Sequence, residues 1–530
     1  MARRLLDRIR ASFLMFPLLL WAGLAEAGAP TPTHGPVVTE VRPDSAIIWA
    51  RAPGPGTLEL RVQPNPGHNQ KLMTRRVDAS HDQTARWQLL SLTPGRTYLV
   101  EVTYQDPDGR RSDPIEATFH TAPLPFLPAE VRFAMSGDLG GQGRCRRIGD
   151  TESKSGYPIF SAIAALQPDF FIMNGDQIYA DGTCPAEGPS PNELHGPWTN
   201  TPGPALSVAD PSIDWSLRPD LRQIFWDHWR YNRAERHFQE LLRRTAYYPQ
   251  WDDHEIINDQ GAAWNHLSAA PERAGYEALV QVGTSAWHDY NAVEASVRGR
   301  GGLYRSFRWG RDVEIFLVDA RSFRSPNTAP DTAEQPKTML GQAQRQWLID
   351  GLTRSEATWK IVSVDVPLAA PSGSDPDHNG RDSWANGDSA TGFERELGQI
   401  LLALDQAHVK NLVFLATDVH YAQITRFSPD LDGDGEPLLM HEVISGPLSA
   451  IALPVVPPDP TFQPEVLYAE GGLFNFAWFV ADRQGGQPTL SIEIRGEDGA
   501  RRPGSRVVLD AVTEERGFQN LKEERGARER

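Results

Sequence analysis

Short apolar segments that each lead into an aspartate constrain the fold of this chain most strongly. The clearest is 170–173, four apolar residues that lead through Asn174 and Gly175 into Asp176. An unbroken apolar run is typical of a strand buried on both faces of a parallel sheet. Other predicted strands also lead into an aspartate: 131–135, which alternates between apolar and polar residues, before Asp138, then 313–318 before Asp319, 359–364 before Asp365 and 411–417 before Asp418. Together with a helix-like segment at 157–167, the pattern predicts βαβ units in an α/β fold.

Side chains that can bind metal ions collect at these predicted strand ends. In open α/β sheets, ligands bind beyond the carboxyl ends of the strands, and Asp176 stands at such a position. The other residues of this kind at strand ends or in nearby loops are Asp138, Tyr179, Asp253, Asp418 and His420. A single aspartate after a strand is equally compatible with a solvated loop or a helix cap. The series as a whole predicts a two-metal hydrolase, because two cations need several carboxylates and one that bridges them.

Composition and the N-terminal residues limit the class of protein. The 530 residues suggest two or more domains, and a formal charge of −17 argues against a nucleic-acid binder. Residues 1–27 are typical of a secretory signal peptide, with four arginines, an apolar run and an A-x-A cleavage site at 25–27. The apolar run, 11–24, is too short to span a membrane, and no later segment reaches that length. The sequence therefore predicts a periplasmic or secreted protein without a transmembrane anchor.

The rest of the chain divides into a small β-rich region and a large α/β region. Residues 36–122 predict a β-sandwich, and the segment 92–102 resembles the tyrosine corner of fibronectin type III domains. A proline-rich linker at 121–128 leads to a catalytic domain at 130–505, in which 221–245 predicts one amphipathic helix. Residues 506–530 are dense in charged side chains and predict a frayed tail.

The two cysteines, Cys145 and Cys184, predict a disulfide. A cysteine pair in an oxidising compartment favours a disulfide over a zinc site. Cys145 lies seven residues after Asp138, and Cys184 lies eight residues after Asp176. Both loops leave neighbouring predicted strands, so the two sulfur atoms should be close in space. The competing interpretation is that Cys145 binds iron.

Several motifs resemble the ordered motifs of calcineurin-like metallophosphoesterases and, more narrowly, those of the alkaline phosphatase D (PhoD-like) family. The metal-site motifs are Gly137-Asp138, Gly175-Asp176-x-x-Tyr179, Asp252-Asp253-His254-Glu255 and Asp418-x-His420. Supporting motifs are Asp319-x-Arg321-x-x-Arg324, Leu340-Gly341-x-x-Gln344-x-x-Trp347-Leu348 and Ser445-Gly446-Pro447-Leu448. The resemblance covers residues 36–500. It implies a four-layer α-β-β-α metallophosphoesterase sandwich preceded by a fibronectin type III-like β-sandwich.

The resemblance also implies how the ligands divide between two metal ions. The first site would hold Fe(III) through Asp138, Asp176, Tyr179 and His420. Tyr179 replaces the usual histidine of a D-x-H motif, because Gly140 occupies that place. The second site would use Asp176, Asp253 and Asp418, with Asp365 as a further candidate. Its ligand atoms are all oxygen, which favours calcium, magnesium or manganese.

Other residues are implied in catalysis or substrate binding. His254, beside Asp253, would act as the general acid for the leaving alkoxide, or would only orient the site. Glu255 would orient His254 or a neighbouring loop. Arg321 and Arg324 would clamp the phosphate, or would form an ion pair with Asp319.

The function implied is hydrolysis of small phosphate esters by a secreted metal-dependent phosphatase or phosphodiesterase. A phospholipase D-like phosphodiesterase on the same fold is the second interpretation. A non-catalytic extracellular binding protein with a relic site is the third, and the complete set of candidate ligands argues against it. The sequence does not predict an oligomeric state.

Overall fold

The computed structural model of the chain describes residues 29–64, 71–188, 198–261, 275–298, 301–373 and 380–512. The predicted signal peptide, 1–27, lies outside these residues. The described residues form two large sheets and one small sheet. The first large sheet contains, in spatial order, β20 (Val507–Asp510), β19 (Gln487–Gly496), β18 (Asn475–Gln484), β8 (Val131–Ser136), β9 (Phe170–Met173), β10 (Ala246–Pro249), β1 (His34–Thr39), β2 (Ser45–Arg51) and β5 (Thr84–Leu90).

The second large sheet lies against the first and contains seven strands. In spatial order they are β11 (Arg305–Trp309), β12 (Val313–Leu317), β13 (Trp359–Ser363), β14 (Leu412–Ala416), β16 (Met440–Ile444), β15 (Ala422–Phe427) and β17 (Glu465–Glu470). Strands β8, β9 and β10 run parallel in the first sheet, and β12, β13, β14 and β16 run parallel in the second. The carboxyl ends of the parallel strands in each sheet therefore share one edge.

Strand β9 shows why the sequence predicts a fully buried strand. Phe170 and Ile172 belong to the core between the two large sheets, whereas Phe171 and Met173 belong to the core on the outer face of the first sheet. Side chains alternate between the two faces of a strand, so a strand covered on both faces must be apolar at every position. The unbroken apolar run in the sequence follows directly from this placement.

Helices cover the outer face of each large sheet. Those on the first sheet are α1 (Ile159–Ala165), α2 (Arg218–Arg233), α3 (Arg236–Leu242) and α4 (Tyr276–Tyr290), followed by the short α5 (Ala295–Arg298). Those on the second sheet are α6 (Gly341–Arg354) and α7 (Glu394–Gln406). The central region thus has the predicted order of helices, sheet, sheet and helices. None of the helices in the described ranges is long and apolar enough to cross a membrane.

The N-terminal region is a sandwich that shares a sheet with the central region. Its small sheet has the order β4 (Lys71–Val77), β3 (Gly56–Pro64), β6 (Thr97–Gln105) and β7 (Ile115–His120). Its other strands, β1, β2 and β5, extend the first large sheet, because β1 pairs in parallel with β10 at Thr39 and Tyr247. The predicted tyrosine corner is present, since the Tyr98 hydroxyl accepts a hydrogen bond of 2.8 Å from the Thr93 amide.

Two boundaries differ from the sequence prediction. The single helix predicted at 221–245 is divided between α2 and α3 at Ala234 and Glu235. The break is stabilised locally, because the Glu235 carboxylate caps α3 by accepting a hydrogen bond from the Phe238 amide. At the other end, β20 pairs with β19 within the segment predicted as a tail, so regular structure extends beyond residue 505. Residues 513–530 of that tail lie outside the described ranges.

Candidate functional site

The candidate site lies where the strands of the two large sheets end side by side. Asn174 donates from its amide group to the carbonyls of Val364 (3.1 Å) and Leu415 (3.4 Å), and thereby joins the end of β9 to the ends of β13 and β14. Gln250, directly after β10, donates in the same way to the carbonyls of Val318 (2.9 Å) and Ser363 (3.0 Å). These side chains hold the loops of both sheets at one edge.

Four of the predicted ligands have unusual backbone conformations. Asp138, Asp176, Asp418 and His420 all have positive φ angles, of 60°, 49°, 71° and 58°. Positive φ is uncommon for residues other than glycine and is concentrated at functional sites, where the surrounding structure holds it in place. The conformations turn these side chains out of the strands and towards the shared edge.

The first group of ligand atoms agrees with the predicted first metal site. Atoms of Asp138, Asp176 and His420 lie within 4.8 Å of one another, and all three residues are buried. The Tyr179 hydroxyl lies 3.0 Å from His420 Nε2. His420 Nδ1 lies 2.7 Å from the Ile451 carbonyl, which can only accept a hydrogen bond, so Nδ1 carries the proton and Nε2 is left as a ligand atom.

A second group shares Asp176 with the first. It contains Asp176, Asp253 and His254, again within 4.8 Å of one another. Because Asp176 belongs to both groups, it has the position required of a carboxylate that bridges two ions. Asp418 does not belong to either group, although its backbone amide donates to Asp138 Oδ1 over 3.3 Å. The first group therefore contains three of the four predicted ligands of the first site. The second group contains Asp176 and Asp253, two predicted ligands of the second site, but not Asp418.

Several buried oxygen atoms at this edge have no hydrogen-bond partner among the described residues. They are Asp138 Oδ2, Asn174 Oδ1, Asp252 Oδ2, Asp253 Oδ1, both carboxylate oxygens of Asp365, and Asp418 Oδ2. Burial raises the pKa of Asp138, Asp176, Asp365 and Asp418 well above the usual range of aspartate. Bound cations would satisfy such oxygen atoms and stabilise their ionised form, so these residues fit the metal ions expected from the sequence.

His254 has a carboxylate partner that the sequence pattern does not indicate. Its Nδ1 lies 2.8 Å and 2.9 Å from the two carboxylate oxygens of Asp181, and its ring stacks on Tyr179 at 4.1 Å between centroids. Burial alone would lower the pKa of His254, but Asp181, Asp176 and Asp253 together raise it well above its ordinary value. Asp181 lies two residues after Tyr179, where the motif that begins at Gly175 ends, and nothing in the local pattern indicates contact with a histidine 73 residues later.

Glu255 orients the neighbouring loops rather than the ring of His254. Its carboxylate accepts hydrogen bonds from the amides of Asp176 (3.2 Å), Gln177 (2.6 Å) and Asp252 (2.8 Å). One buried side chain therefore fixes the loop after β9 against the loop after β10. Of the two interpretations of Glu255 from sequence, these contacts match the second.

Arg321 and Arg324 are both buried in contact with a carboxylate that the sequence did not single out. Arg321 forms a two-pronged ion pair with Asp382, with distances of 2.9 Å and 2.7 Å, and Arg324 contacts the same carboxylate at 3.0 Å. The Arg321 Nε atom donates to Asp252 over 2.5 Å. The alternative partner, Asp319, instead accepts hydrogen bonds from the Trp251 side chain and from backbone amides, including that of Arg321. The predicted ion pair with Asp319 is therefore wrong, and both arginines pair with Asp382 instead.

The predicted disulfide between Cys145 and Cys184 is present, with 5.8 Å between the Cα atoms. It joins the loop that carries Asp138 to the loop that carries Asp176. The competing interpretation, that Cys145 binds iron, is therefore wrong.

The Ser445–Leu448 motif forms the wall beside Asp138. Gly446 approaches the Asp138 carboxylate so closely that a Cβ atom would collide with Oδ2. Asn475 fixes this glycine by accepting from its amide (3.2 Å) and donating to its carbonyl (2.6 Å). Leu448, at the end of the motif, extends this contact, because its amide donates to the Gly137 carbonyl over 2.8 Å. The motif thus positions the first group of ligands.

Comparisons with known proteins agree with this arrangement. A family model described as PhoD-like phosphatase matches residues 145–466. Alkaline phosphatase D of Bacillus subtilis (strain 168) is 24% identical over 200 residues, which are 34% of this chain and 32% of the relative. The chain thus spans about a third of the length of this curated relative.

Two solved structures share the fold. The structure of PhoD superposes with a TM-score of 0.66 at 15% identity, covering 95% of this chain and 99% of that one. Purple acid phosphatase PPD1 of yellow lupin (Lupinus luteus) has a TM-score of 0.57 at 13% identity, covering 91% of this chain and 74% of that one. At such identities the superpositions show a common fold.

Proposed function

Because the chain belongs to the PhoD-like phosphatase family, we propose that it is a metal-dependent hydrolase of phosphate esters that uses two metal ions. The observation that carries this proposal is the position of Asp176, whose carboxylate belongs to both close groups of ligand atoms. A phosphoryl group in transfer needs charge stabilisation on both its attacking and its leaving oxygen, which two adjacent ions provide when bound. The buried oxygen atoms at the same edge that have no hydrogen-bond partner in the described part of the chain support the same conclusion.

We assign the ligands of each ion from the donor atoms present. The first ion would be held by Asp138, Asp176, Tyr179 and His420. A phenolate beside carboxylates suits a trivalent ion, so we propose Fe(III) at this site. The second ion would be held by Asp176, Asp253 and Asp418, with Asp365 as a further candidate, and their oxygen atoms favour calcium, magnesium or manganese.

The side chains around the ions have separate tasks. Glu255 and the disulfide hold the ligand loops in register, so that the carboxylates keep their mutual distances. Asp181 binds His254 at Nδ1 and leaves Nε2 as the nitrogen that can give a proton to the leaving oxygen. The two-pronged contact with Asp382 supports a structural role for Arg321 and Arg324, and a direct phosphate clamp would require that contact to open.

The proposed location is outside the cytoplasm. The disulfide supports this proposal, because disulfides persist in oxidising compartments such as the periplasm or the extracellular space. The predicted signal peptide indicates the same location. The proposed substrate is therefore a small phosphate ester present outside the cytoplasm.

The experiment that tests the function combines metal analysis with turnover of p-nitrophenyl phosphate and bis-p-nitrophenyl phosphate. The purified protein should contain about two metal ions per chain and hydrolyse at least one of these esters. The Asp176→Asn variant should lose at least one ion and about 1,000-fold or more in kcat, because a charge between two cations is removed. A folded variant with full metal content and full rate would show that Asp176 does not bridge the ions. Bound metal without either activity would favour a binding protein.

A further inference from the structure

Gln142 is an exposed residue in the loop that carries Asp138. The residue before it, Gly141, lies so close to the Tyr179 ring that a Cβ atom would be 2.3 Å from the carbon that bears the hydroxyl. The Gly141 amide also donates to the Ser449 carbonyl over 2.9 Å, which fixes the loop in this position. Because Asp138 and Tyr179 are buried, Gln142 lies on the solvent side of the first group of ligands.

One branch of the Gln142 side-chain amide is bound, and the other is available. The Oε1 atom accepts a hydrogen bond of 3.0 Å from the Ile451 amide, and the Ile451 carbonyl lies 2.7 Å from His420 Nδ1. A backbone N–H can only donate, so this contact fixes which branch of the amide is the oxygen. The other branch, Nε2, can only donate and has no hydrogen-bond partner among the described residues. Gln142 therefore presents an oriented donor beside a predicted metal ligand.

The phosphoryl group of a bound ester needs such a donor. It carries several negative oxygen atoms, and those that do not face a metal ion are stabilised by N–H groups at fixed positions. Arg321 and Arg324 are already engaged by Asp382, and His254 is assigned to the leaving oxygen. The contact with Ile451 restricts the Gln142 side chain before binding, so little rotamer freedom would be lost when Nε2 meets a substrate.

We propose that Gln142 is a substrate-binding residue that donates from Nε2 to a phosphoryl oxygen not held by the metal ions. This inference rests on the proposed hydrolysis of phosphate esters and adds a contact to the same site. No bond is made or broken at Gln142. A donor that contacts the substrate and the transition state equally lowers KM and leaves kcat unchanged.

The central test replaces Gln142 by glutamate. A carboxylate keeps an oxygen for the Ile451 amide but has no N–H, so the contact with Ile451 remains and the donor is lost. Gln142→Glu should raise the KM for p-nitrophenyl phosphate, and the Kd for inorganic phosphate in calorimetry, by about 10-fold or more. Its kcat, metal content and thermal unfolding temperature should match those of the wild type. The increase should persist in 1 M sodium chloride, where the Debye length of about 3 Å removes the effect of a distant charge.

Two further sets of variants serve as controls. Gln142→Met removes the donor without adding a charge, and it should also raise KM and the phosphate Kd. Gln167 is a matched position, because it is exposed and its φ of 53° is close to the 52° of Gln142. It precedes β9, whereas Asp176 follows β9, so Gln167 lies at the opposite edge of the sheet. Gln167→Glu and Gln167→Met should keep the wild-type KM and phosphate Kd.

The outcomes separate this inference from the proposed function. If Gln142→Glu binds phosphate as tightly as the wild type, or if its defect vanishes in 1 M sodium chloride, then Gln142 does not contact the substrate. A defect in Gln142→Met alone would limit Gln142 to holding Ile451 beside His420. A wild type that binds phosphate but hydrolyses neither ester would contradict the proposed function, and the phosphate affinities would still decide the role of Gln142. A wild type that neither binds phosphate nor hydrolyses an ester would overturn both.

Discussion

Gly137 provides a sensitive test of how closely the two ligand loops must approach. This residue precedes Asp138 and packs against the end of β9. A Cβ atom at this position would lie 2.8 Å from the Asn174 carbonyl oxygen, 2.9 Å from the Gly175 carbonyl oxygen and 3.0 Å from the Thr417 side chain. Two of these neighbours are backbone atoms directly before Asp176, so they cannot rotate away as a flexible side chain would.

The magnitude of the effect follows from these distances. Ordinary contacts of a Cβ atom begin near 3.4 Å, so Gly137→Ala should push the two loops apart by about 0.5 Å. Overpacking of this kind costs about 1–3 kcal/mol of unfolding free energy. The carboxylates of Asp138 and Asp176 would separate by a similar distance, and a misplacement approaching 1 Å lowers catalytic rates by up to about 100-fold. We therefore expect the kcat of Gly137→Ala to be lower than that of the wild type by about 10- to 100-fold.

The assay compares Gly137→Ala with Gly54→Ala in kcat, bound metal and thermal stability. Gly54 is a suitable control, because the only described atom that a Cβ there would meet is the Tyr104 hydroxyl oxygen, at an ordinary distance of 3.8 Å. The control should match the wild type in all three measurements. If Gly137→Ala keeps the wild-type kcat and metal content, then the close approach of the two loops is not required for catalysis. A loss of stability with unchanged kcat would limit the role of Gly137 to packing.

Three further predictions concern other parts of the molecule. His254→Ala should reduce kcat by about 100-fold or more for esters with poor leaving groups and much less for p-nitrophenyl phosphate, and equal losses would indicate an orienting role. Replacing both Cys145 and Cys184 by serine should lower the unfolding free energy by about 3–4 kcal/mol, as expected for a loop that closes over 39 residues, and denaturant titrations would measure it. Burial would raise the pKa of Asp82, but hydrogen bonds from Arg230 and other side chains outweigh burial and lower the pKa. The ionised Asp82 carboxylate therefore stabilises the fold above about pH 4, and this stabilisation is lost as the pH falls through the pKa of the folded state. The Asp82→Asn variant should therefore have an unfolding free energy about 1–3 kcal/mol lower than that of the wild type at pH 7, and this difference should shrink in unfolding curves recorded towards pH 2. A difference that stays constant with pH would show that the ionised form of Asp82 does not stabilise the fold.

The sequence predicts those features that depend on neighbouring residues in the chain. The buried strand at 170–173 is predictable, because burial on two faces requires an apolar residue at every position. The disulfide is also predictable, since Cys145 and Cys184 follow the ends of adjacent strands at similar distances. Asp138, Asp176 and His420 could be proposed together because each follows a strand of the parallel part of a sheet.

Contacts between distant loops are not predictable in this way. Asp382 lies 61 residues after Arg321, in a segment without strand or helix periodicity, so no local pattern indicates that it neutralises Arg321. The sequence pattern accordingly predicts a phosphate clamp or a pair with Asp319, which is closer in the chain. Asp181 is a similar case, because its contact with His254 depends on how two loops from different strands meet.

The contacts between the N-terminal sandwich and helix α2 are also not predictable from the sequence, and they link the sandwich to the central sheets. The Asp82 carboxylate accepts a hydrogen bond of 2.8 Å from Arg230 on α2. Two residues later on the same helix, the Asn232 side chain donates to the carbonyls of Leu139 (3.2 Å) and Gln177 (2.8 Å), the residues that directly follow Asp138 and Asp176. Polar contacts at two residues of α2, partly buried at Arg230 and buried at Asn232, therefore connect the sandwich to both ligand loops. Sequence patterns divide the chain at residue 122, whereas the hydrogen bonds unite the two regions around the end of one helix.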